Sequence, residues 1–224
     1  SRGLGDVYKR QQGNSLPFAK WTCYDAGVHS ACIVRWPGVI KLGSVSDALV
    51  EYVDIVPTFV DIAGGKPLAK VDGESFKPVL TGKKKAHKEY SFSLQTTRGI
   101  NAGSPYYGIR SVYDGRYRYI VNLTPEATFQ NVETKSPLFK KWKSLAETDS
   151  HAKAMTIKYQ HRPAIELYDV KNDPYCMKNL AEDAKQASTI SRLDKELKRW
   201  MKDCGDEGQP TEMRAFEHMP GKRK

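Results

Sequence analysis

The chain has 224 residues, a formal net charge of +10 and 39% hydrophobic residues. This length and hydrophobic content allow one large domain or two small ones, with much of the chain at the surface or in loops. No run of about 18 apolar residues occurs, which excludes an ordinary transmembrane helix. The basic balance would attract polyanions, either nucleic acid or sulfated polysaccharide, or could serve solubility alone.

The lysine clusters bear on whether the protein binds nucleic acid. The cluster at 83–88 lacks the interleaved aromatic residues of a single-strand binding platform, the lysines at 135–143 are interpreted as the exposed face of a helix, and no nucleic-acid motif occurs. No nucleic-acid partner is therefore predicted.

None of the four cysteines forms a C-x-x-C pair, which argues against a zinc site. Cys32 lies in an apolar run and is predicted to be buried. Asn122-Leu123-Thr124 is a formal glycosylation sequon.

The start of the chain shows a break in character. Residues 1–11 are polar and lack strand periodicity, and we interpret them as foreign to the domain that follows. Lys20 then lies in a mostly uncharged run that leads into an apolar segment, 31–35, which is predicted to be a strand. A lysine at the mouth of such a strand is well placed to hold an anion, and a surface loop before an edge strand is the alternative.

The next predicted elements are a strand at 48–53 and a helix that begins after Asp54. The Asp54 carboxylate is predicted to cap the first turn of this helix. Pro57 suits that turn, where no intrahelical donor is needed, and Gly64-Gly65 ends the helix. The order of strand, loop, strand and helix favours the edge of an α/β sheet.

After Lys66 the pattern becomes that of an antiparallel sheet. Strands are predicted at 89–94, 107–113, 116–123 and 165–170, with a hairpin turn at Asp114-Gly115. Alternation within the strand 116–123 divides its side chains between two faces. One face carries Tyr117, Tyr119 and Val121, and the other carries Arg116, Arg118 and Ile120.

Helices are predicted at 137–146, 151–159 and 186–203. The last of them is amphipathic, because Ile190, Leu193 and Leu197 recur at helical spacing. These helices and the preceding strands form a predicted α+β subdomain. From Asp206 the chain is polar and is predicted to be mobile.

An ordered set of short motifs runs along the chain. They are Gln12-Gly13, Lys20, Tyr24-Asp25, Gly27-Val28, Arg35-Trp36-Pro37-Gly38, Asp54-Ile55-Val56-Pro57-Thr58, Asp72-Gly73-Glu74-Ser75-Phe76, Glu166-Leu167-Tyr168-Asp169, Asn172-Asp173-Pro174 and Asn179-Leu180. Each motif alone is weak, but the ordered set resembles the type I sulfatases of the alkaline-phosphatase-like superfamily. The run from Tyr107 to Val112, with Asn122-Leu123 and Arg162, is most similar to the heparan N-sulfatase (sulfamidase) branch. The resemblance covers roughly residues 12–203.

The resemblance implies a domain organisation. Residues 12–70 would be the C-terminal part of the catalytic α/β domain, residues 71–205 a C-terminal α+β subdomain, and residues 206–224 a polar tail. The expected fold class is therefore α/β, namely the C-terminal edge of an alkaline-phosphatase-like mixed sheet followed by an antiparallel sheet with a packed helix. A secreted, periplasmic or lysosome-like location is expected by analogy, and the oligomeric state is left open.

The resemblance also implies site residues. Lys20 matches the family's sulfate-binding lysine. Gln12 matches the second of two adjacent metal ligands, and its amide oxygen suits Ca²⁺. The first ligand should be aspartate but position 11 is Gln11, which is what a foreign N-terminal segment would produce.

Further residues are expected to hold or approach this site. Asp25 is predicted to hold the loop that presents Lys20, through backbone donors. Arg162 either faces substrate or pairs with Glu166 or Asp169. Possible contacts to sugar hydroxyls or a carboxylate, with plain loop hydrogen bonding as the alternative, are assigned to Gln95, Thr97 and Arg98.

The implied reaction is hydrolysis of a sulfate ester or sulfamate on a sulfated, glycosaminoglycan-like carbohydrate. In the resembled family a hydroxyl of a formylglycine diol attacks sulfur, calcium and the lysine hold the sulfate oxygens, and a histidine protonates the leaving group. The C-x-P-S-R or C-x-A-x-R motif that yields formylglycine does not occur in this sequence. The chain alone is therefore predicted to be inactive.

Two alternatives stay open. The first is a basic polyanion-binding module without catalysis. The second is a phosphoryl-transfer relative from the same superfamily, such as a phosphonate hydrolase or a phosphoglycerate mutase. Those enzymes rely on two metals with several Asp and His ligands, and the five histidines here show no D-H or H-x-x-x-H spacing.

Overall fold

The computed structural model describes residues 16–96, 103–104 and 106–218. These residues divide into two compact units. The first unit combines the described residues up to Ala31 with those from Phe92 onward, and the second unit runs from Cys32 to Ser91. The first unit contains both the segment around Lys20 and most of the sheet.

The described residues form a mixed α/β arrangement. The helices are α1 (Asp25–Val28), α2 (Ile55–Ile62), α3 (Lys77–Leu80), α4 (Pro137–Leu145), α5 (Ser150–Gln160), α6 (Ala187–Asp203) and α7 (Gln209–Met213). Short 3-10 turns lie at Tyr52–Asp54, Val132–Lys135, Ala184–Gln186 and Ala215–His218. The strands are β1 (Ser91–Gln95), β2 (Ile109–Tyr113), β3 (Tyr117–Asn122) and β4 (Ile165–Asp169), in the sheet order β1-β2-β3-β4. The predicted fold class is confirmed.

The predicted hairpin joins β2 and β3. These strands pair antiparallel, with Tyr113 opposite Arg118. The Asp114 carboxylate accepts hydrogen bonds from the backbone N–H groups of Arg116 (2.9 Å) and Tyr117 (2.7 Å). Gly115 has φ of 91°, a backbone conformation that side chains disfavour. The dipeptide therefore supplies both the turn's acceptor and its left-handed residue.

Both faces of the sheet are covered. The predicted alternation along β3 is confirmed, since Tyr119 bonds to Asp194 of α6 while Arg118 bonds to Asp25. Because Arg118 lies opposite Tyr168 and Ile120 opposite Glu166, the same face continues onto β4. Tyr119 and Arg118 are almost completely buried. A strand buried on both faces holds segments from distant parts of the chain together.

The three predicted helices of the C-terminal part are confirmed. Ser136 caps α4 by accepting from the Phe139 N–H (3.1 Å), and Asp149 caps α5 by accepting from the Ala152 N–H (2.7 Å). The amphipathic helix α6 packs on β2 and β3, and it buries Leu193 and Leu197 there. This apolar stripe fixes α6 on one face of the sheet.

Two predicted strands of the second unit are wrong. Residues 31–35 have no strand partner among the described residues, and Ile33 there is 80% exposed. In the segment 48–53, Leu49 makes one isolated bridge with Lys88 before a 3-10 turn begins at Tyr52. The apolar residues of both segments have a high strand propensity. A strand forms, however, only where the backbone of another segment exchanges hydrogen bonds with it.

Asp54 directly precedes α2 as predicted, but its side chain does not cap that helix. It closes the 3-10 turn, so its carboxylate points back and accepts from the N–H groups of Glu51 (2.8 Å) and Glu74 (2.9 Å). Lys88 Nζ lies 2.8 Å from the same carboxylate. Burial would raise the pKa of Asp54, but Lys88 and the two amides together lower it below its usual value.

The prediction of a mobile tail from Asp206 is wrong for the residues up to Met213. Asp206 pairs with the Arg110 guanidinium on β2. Helix α7 follows, and its Glu212 is 2% exposed and accepts a hydrogen bond from the Thr96 hydroxyl (2.5 Å). Sequence polarity misled here because these acidic groups meet a buried arginine rather than water.

The remaining points concern the burial of Cys32, the exposure of the sequon and the lengths of the helices. Cys32 is exposed, not buried. Asn122 of the sequon is 2% exposed and donates to the Pro163 carbonyl (2.7 Å) and to Glu166 (2.8 Å), so the folded unit hides this residue from modification. Within the described ranges, no helix combines the length and apolar character needed to cross a bilayer.

Candidate functional site

The segment 16–28, here called the Lys20 loop, forms a compact turn structure. The Ala19 N–H donates to the Leu16 carbonyl (3.1 Å), and the Thr22 N–H donates to the Ala19 carbonyl (3.1 Å). Phe18 and Trp21 have φ of 65° and 61°, so left-handed residues lie on both sides of Lys20. Such conformations in bulky residues persist only where the surroundings enforce them, and they cluster at functional sites.

Lys20 lies half-buried at the tip of this loop. Its ammonium lies 4.4 Å from the ring centroid of Trp21, which holds the side chain against an aromatic face. Within the described part of the chain, no ion pair includes Lys20. Among the described residues, therefore, no carboxylate pairs with this cation, and a half-buried ammonium in such a setting suits recognition of an anion.

Gly27 of α1 lies against the backbone of the same loop. A Cβ on Gly27 would lie 2.4 Å from the Ala19 carbonyl oxygen and 2.6 Å from that of Thr22. The Ala19 oxygen accepts hydrogen bonds from the Thr22 N–H and from the Thr22 hydroxyl, so it cannot move away freely. Only glycine fits at this position.

Gly27→Ala is expected to destabilise the Lys20 loop by about 1–3 kcal/mol, because the added methyl group overpacks a contact made with backbone. Hydrogen exchange of the Ala19 and Thr22 amides reports the change directly. Ala26→Ser, at the exposed neighbouring position, is the matched control and should leave that exchange unchanged. Equal exchange in the two variants would contradict the close approach.

Asp25 joins the loop to the sheet through side chains. Its Oδ1 accepts from Arg118 Nη2 of β3 (2.9 Å), and its Oδ2 lies 3.1 Å from His29 Nδ1. The partners of the carboxylate are thus side chains, whereas backbone donors were predicted. Burial would raise the pKa of Asp25, but His29 and Arg118 together lower it. The hydrogen bond to Asp25 in turn raises the pKa of His29.

Tyr24 provides a second attachment. Its hydroxyl donates to Glu166 Oε2 of β4 (2.9 Å). The Arg162 guanidinium lies 4.8 Å from the ring centroid of Tyr24 and 3.9 Å from that of Phe129. Arg162 is 2% exposed, so it does not face solvent. Burial raises the pKa of Tyr24 well above its ordinary value, and the Glu166 carboxylate adds to this while Arg162 opposes it. The hydroxyl therefore stays protonated and acts as a donor.

Among the remaining predicted site residues, Gln95 is the one that the structure describes. Gln95 ends β1, and its side-chain amide donates to the neighbouring Thr96 carbonyl (2.7 Å). The loop is attached to β3 and β4, and β4 lies at the opposite edge of the sheet from β1, about 14 Å away at ordinary strand spacing. Thr97, Arg98, Gln11 and Gln12 lie outside the described residues. The substrate role of Gln95 stays a prediction.

The described residues do not assemble a calcium site. No three of their His, Cys, Asp and Glu side chains lie together as a possible metal cluster. The buried carboxylates near Lys20, those of Asp25 and Glu166, are already occupied by arginine, tyrosine and asparagine donors. Asp25 and Glu166 therefore do not fit Ca²⁺, because their carboxylate oxygens already accept hydrogen bonds from other side chains.

The residues that hold the loop were the ones that sequence reasoning missed. Arg118 was placed on a strand face and Glu166 in a motif, but neither was connected with Lys20. A signal existed, since a charged residue at an inward position of a predicted strand is rarely buried without a partner. It did not reveal the partner, because Tyr24 and Glu166 are 142 residues apart.

The fold of this chain recurs within longer chains whose structures have been solved. The chain is similar to the phosphonate monoester hydrolase of Silicibacter pomeroyi, with a TM-score of 0.53 and 23% identity over 85% of this chain and 32% of that one. It is also similar to a protein solved in complex with its substrate D-glucosamine-2-N,6-O-disulfate, with a TM-score of 0.55 and 21% identity over 79% of this chain and 29% of that one. At these identities the likeness shows the fold alone.

The sequence then identifies the family. Residues 13–136, more than half of the chain, match the family "N-sulphoglucosamine sulphohydrolase, C-terminal". The chain belongs to this family of sulfatases, and the resemblance drawn from its motifs is confirmed.

Curated relatives agree with this assignment. An ulvan-active sulfatase of Formosa agariphila is 35% identical over 89% of this chain and 38% of its own length. The human N-sulphoglucosamine sulphohydrolase is 26% identical over 89% of this chain and 42% of its own length. An N-acetylglucosamine-6-O-sulfatase of Bacteroides thetaiotaomicron is 27% identical over 92% of this chain and 32% of its own length. The chain thus spans about a third of the length of the relatives it matches.

Proposed function

We propose that this chain is the C-terminal part of a sulfatase that hydrolyses a sulfate ester or a sulfamate of a sulfated polysaccharide. The proposal is supported by the family match and by relatives named for ulvan and N-acetylglucosamine sulfates. The formylglycine nucleophile and Ca²⁺ belong to the proposal through family resemblance. Both would depend on sequence that precedes residue 13.

Lys20 is the residue of this chain that we assign to the chemistry. The observation that carries the assignment is an ammonium held at a strained, firmly attached loop without an acidic partner among the described ion pairs. As the nucleophile bonds to sulfur and the bond to the leaving oxygen or nitrogen breaks, negative charge is carried by the sulfuryl oxygens and by the leaving atom. A preorganised ammonium stabilises that charge more strongly in the transition state than in the substrate.

A turnover assay tests the proposal. The 224-residue chain, mixed with an aryl sulfate and Ca²⁺, is expected to give no turnover. The extended enzyme, meaning the polypeptide translated from the coding sequence upstream together with this chain, is expected to hydrolyse the same substrate. Rapid turnover by the 224-residue chain would contradict the assignment of the nucleophile to the upstream part. Absence of turnover by the extended enzyme with every sulfated sugar tested would contradict the activity itself.

The alternative of a polyanion-binding module rests on a separate observation. Lys83, Lys84 and Lys85 are exposed on the second unit. Heparin chromatography distinguishes the two functions. Strong retention that survives Lys20→Ala but disappears when these three lysines are neutralised would favour the module, whereas weak retention in all variants would leave the sulfatase assignment as the better account.

A further inference from the structure

We propose that Tyr24 and Glu166 are positioning residues for Lys20, acting through hydrogen bonds and covalent links that lead from β4 to the backbone of the Lys20 loop. The inference rests on the proposed function, in which Lys20 holds the sulfate. It adds to that function a specific device, located in the C-terminal sheet, that determines where the ammonium is placed.

Glu166 is the fixed end of this series. It is 1% exposed and lies in the buried part of β4. Its Oε2 accepts from the hydroxyls of Tyr24 (2.9 Å) and Tyr168 (2.5 Å), and its Oε1 accepts from Asn122 Nδ2 (2.8 Å). A buried carboxylate that accepts three hydrogen bonds has little freedom to move, because each alternative position leaves a polar group unsatisfied.

Tyr24 connects this carboxylate to the loop. Its ring lies 5.5 Å from that of Phe18 and 5.8 Å from that of Tyr168, measured between centroids. Its backbone N–H donates to the Thr22 hydroxyl (3.4 Å), and that hydroxyl donates to the Ala19 carbonyl (2.7 Å). Ala19 directly precedes Lys20. The path from Glu166 to Lys20 therefore consists of three hydrogen bonds, the covalent frame of Tyr24 and the peptide bond between Ala19 and Lys20.

This attachment differs in kind from that of Asp25. The Asp25–Arg118 pair is ionic and buried, so its removal leaves an uncompensated charge and destabilises the whole unit. The Tyr24 hydroxyl is a neutral donor, and Glu166 keeps two other donors without it. Tyr24→Phe is therefore expected to alter the position of the Lys20 loop without changing the stability of the first unit.

Tyr168 offers a matched control. Its hydroxyl donates to the same oxygen of Glu166, but Tyr168 lies on β4 and not in the loop. In the 224-residue chain, Tyr24→Phe is expected to increase hydrogen exchange of the Ala19, Thr22 and Gly27 amides about tenfold, as loss of a hydrogen bond to a charged acceptor implies. Tyr168→Phe should leave those amides unchanged. In both variants the β2–β3 amides should keep their protection.

The outcomes of the exchange experiment are distinct. Equal exchange of the loop in Tyr24→Phe and wild type, or equal loosening by Tyr168→Phe, would overturn the proposal. If Tyr24→Phe also unprotects β2 and β3, Thr22→Val breaks the series one step closer to Lys20. In that variant, loosening confined to the loop supports the proposal and an unchanged loop overturns it.

A kinetic measurement distinguishes positioning from a general structural role. In the extended enzyme, Tyr24→Phe is expected to lower kcat/KM about tenfold. In a Lys20→Ala background the same change should have no further effect, because the residue it positions is gone. Additive losses would overturn the proposal. If Lys20→Ala alone leaves turnover unchanged, the proposed function fails, while the exchange result still decides whether Tyr24 holds the loop.

Discussion

Lys20→Ala in the extended enzyme is expected to lower kcat/KM for an aryl sulfate by about 10²–10³-fold. This is the usual cost of removing one preorganised group that stabilises transition-state charge. The loop supports an effect of this size, because left-handed residues on both sides and two attachments to the sheet leave the ammonium little freedom. A flexible surface lysine would contribute much less.

Two further variants sharpen this test. Lys20→Arg should retain part of the activity, since a guanidinium also binds oxyanions. Lys153→Ala removes an exposed lysine of α5 in the same unit and is the control for nonspecific charge effects. A loss of activity by Lys153→Ala as large as that of Lys20→Ala would point to bulk electrostatics and contradict the assignment.

Arg118→Ala is expected to destabilise the first unit by about 3 kcal/mol, the lower end of the range for breaking a buried pair. The Arg118 side chain is 4% exposed and its partner Asp25 is 11% exposed, so the remaining carboxylate would be left largely without solvent. His29 still bonds to Asp25, which is why the lower end applies. Urea unfolding followed by circular dichroism measures the change.

Arg116 provides the matched control for this substitution. It lies two residues before Arg118 and also pairs with an aspartate, Asp169 (2.8 Å), but its side chain is 52% exposed. Arg116→Ala should therefore lower the unfolding midpoint by less than Arg118→Ala, because solvent screens the exposed guanidinium and Asn172 still donates to Asp169 (2.9 Å). If both arginine variants shift the midpoint equally, burial is not what gives the Asp25 pair its strength.

The pH dependence of stability follows from the same pair. The pKa of Asp25 is lowered on folding, so its contribution is present above the unfolded value of about 3.9 and is lost as pH falls through the folded value. In Arg118→Ala, burial still opposes ionisation of the Asp25 carboxyl, but the Arg118 guanidinium no longer offsets that effect. Acid unfolding of that variant is accordingly expected at higher pH than for the wild type.

Local sequence patterns correctly predicted two kinds of element. One is formed by contacts between residues close in sequence, and the other shows a repeating apolar pattern. The hairpin at Asp114-Gly115 needs only a short acceptor side chain and a left-handed glycine, and both are present. The apolar stripe of α6 needs only helical spacing. The failures are equally local in origin. The segment 31–35 has the composition of a strand, but no described backbone pairs with it. Asp54 has the position of a cap, but its carboxylate turns toward Lys88.

By itself the sequence determined the family, the antiparallel sheet with its packed helix, and Lys20 as the residue to examine. These follow from ordered motifs and from periods of two and 3.6 residues, which are properties of neighbouring positions. The tertiary structure alone decided how Lys20 is held. The Tyr24–Glu166 and Asp25–Arg118 contacts join residues 142 and 93 positions apart. Such pairs form because burial removes water as a partner, so each polar group must find its partners within the protein, and that condition exists only in the folded chain.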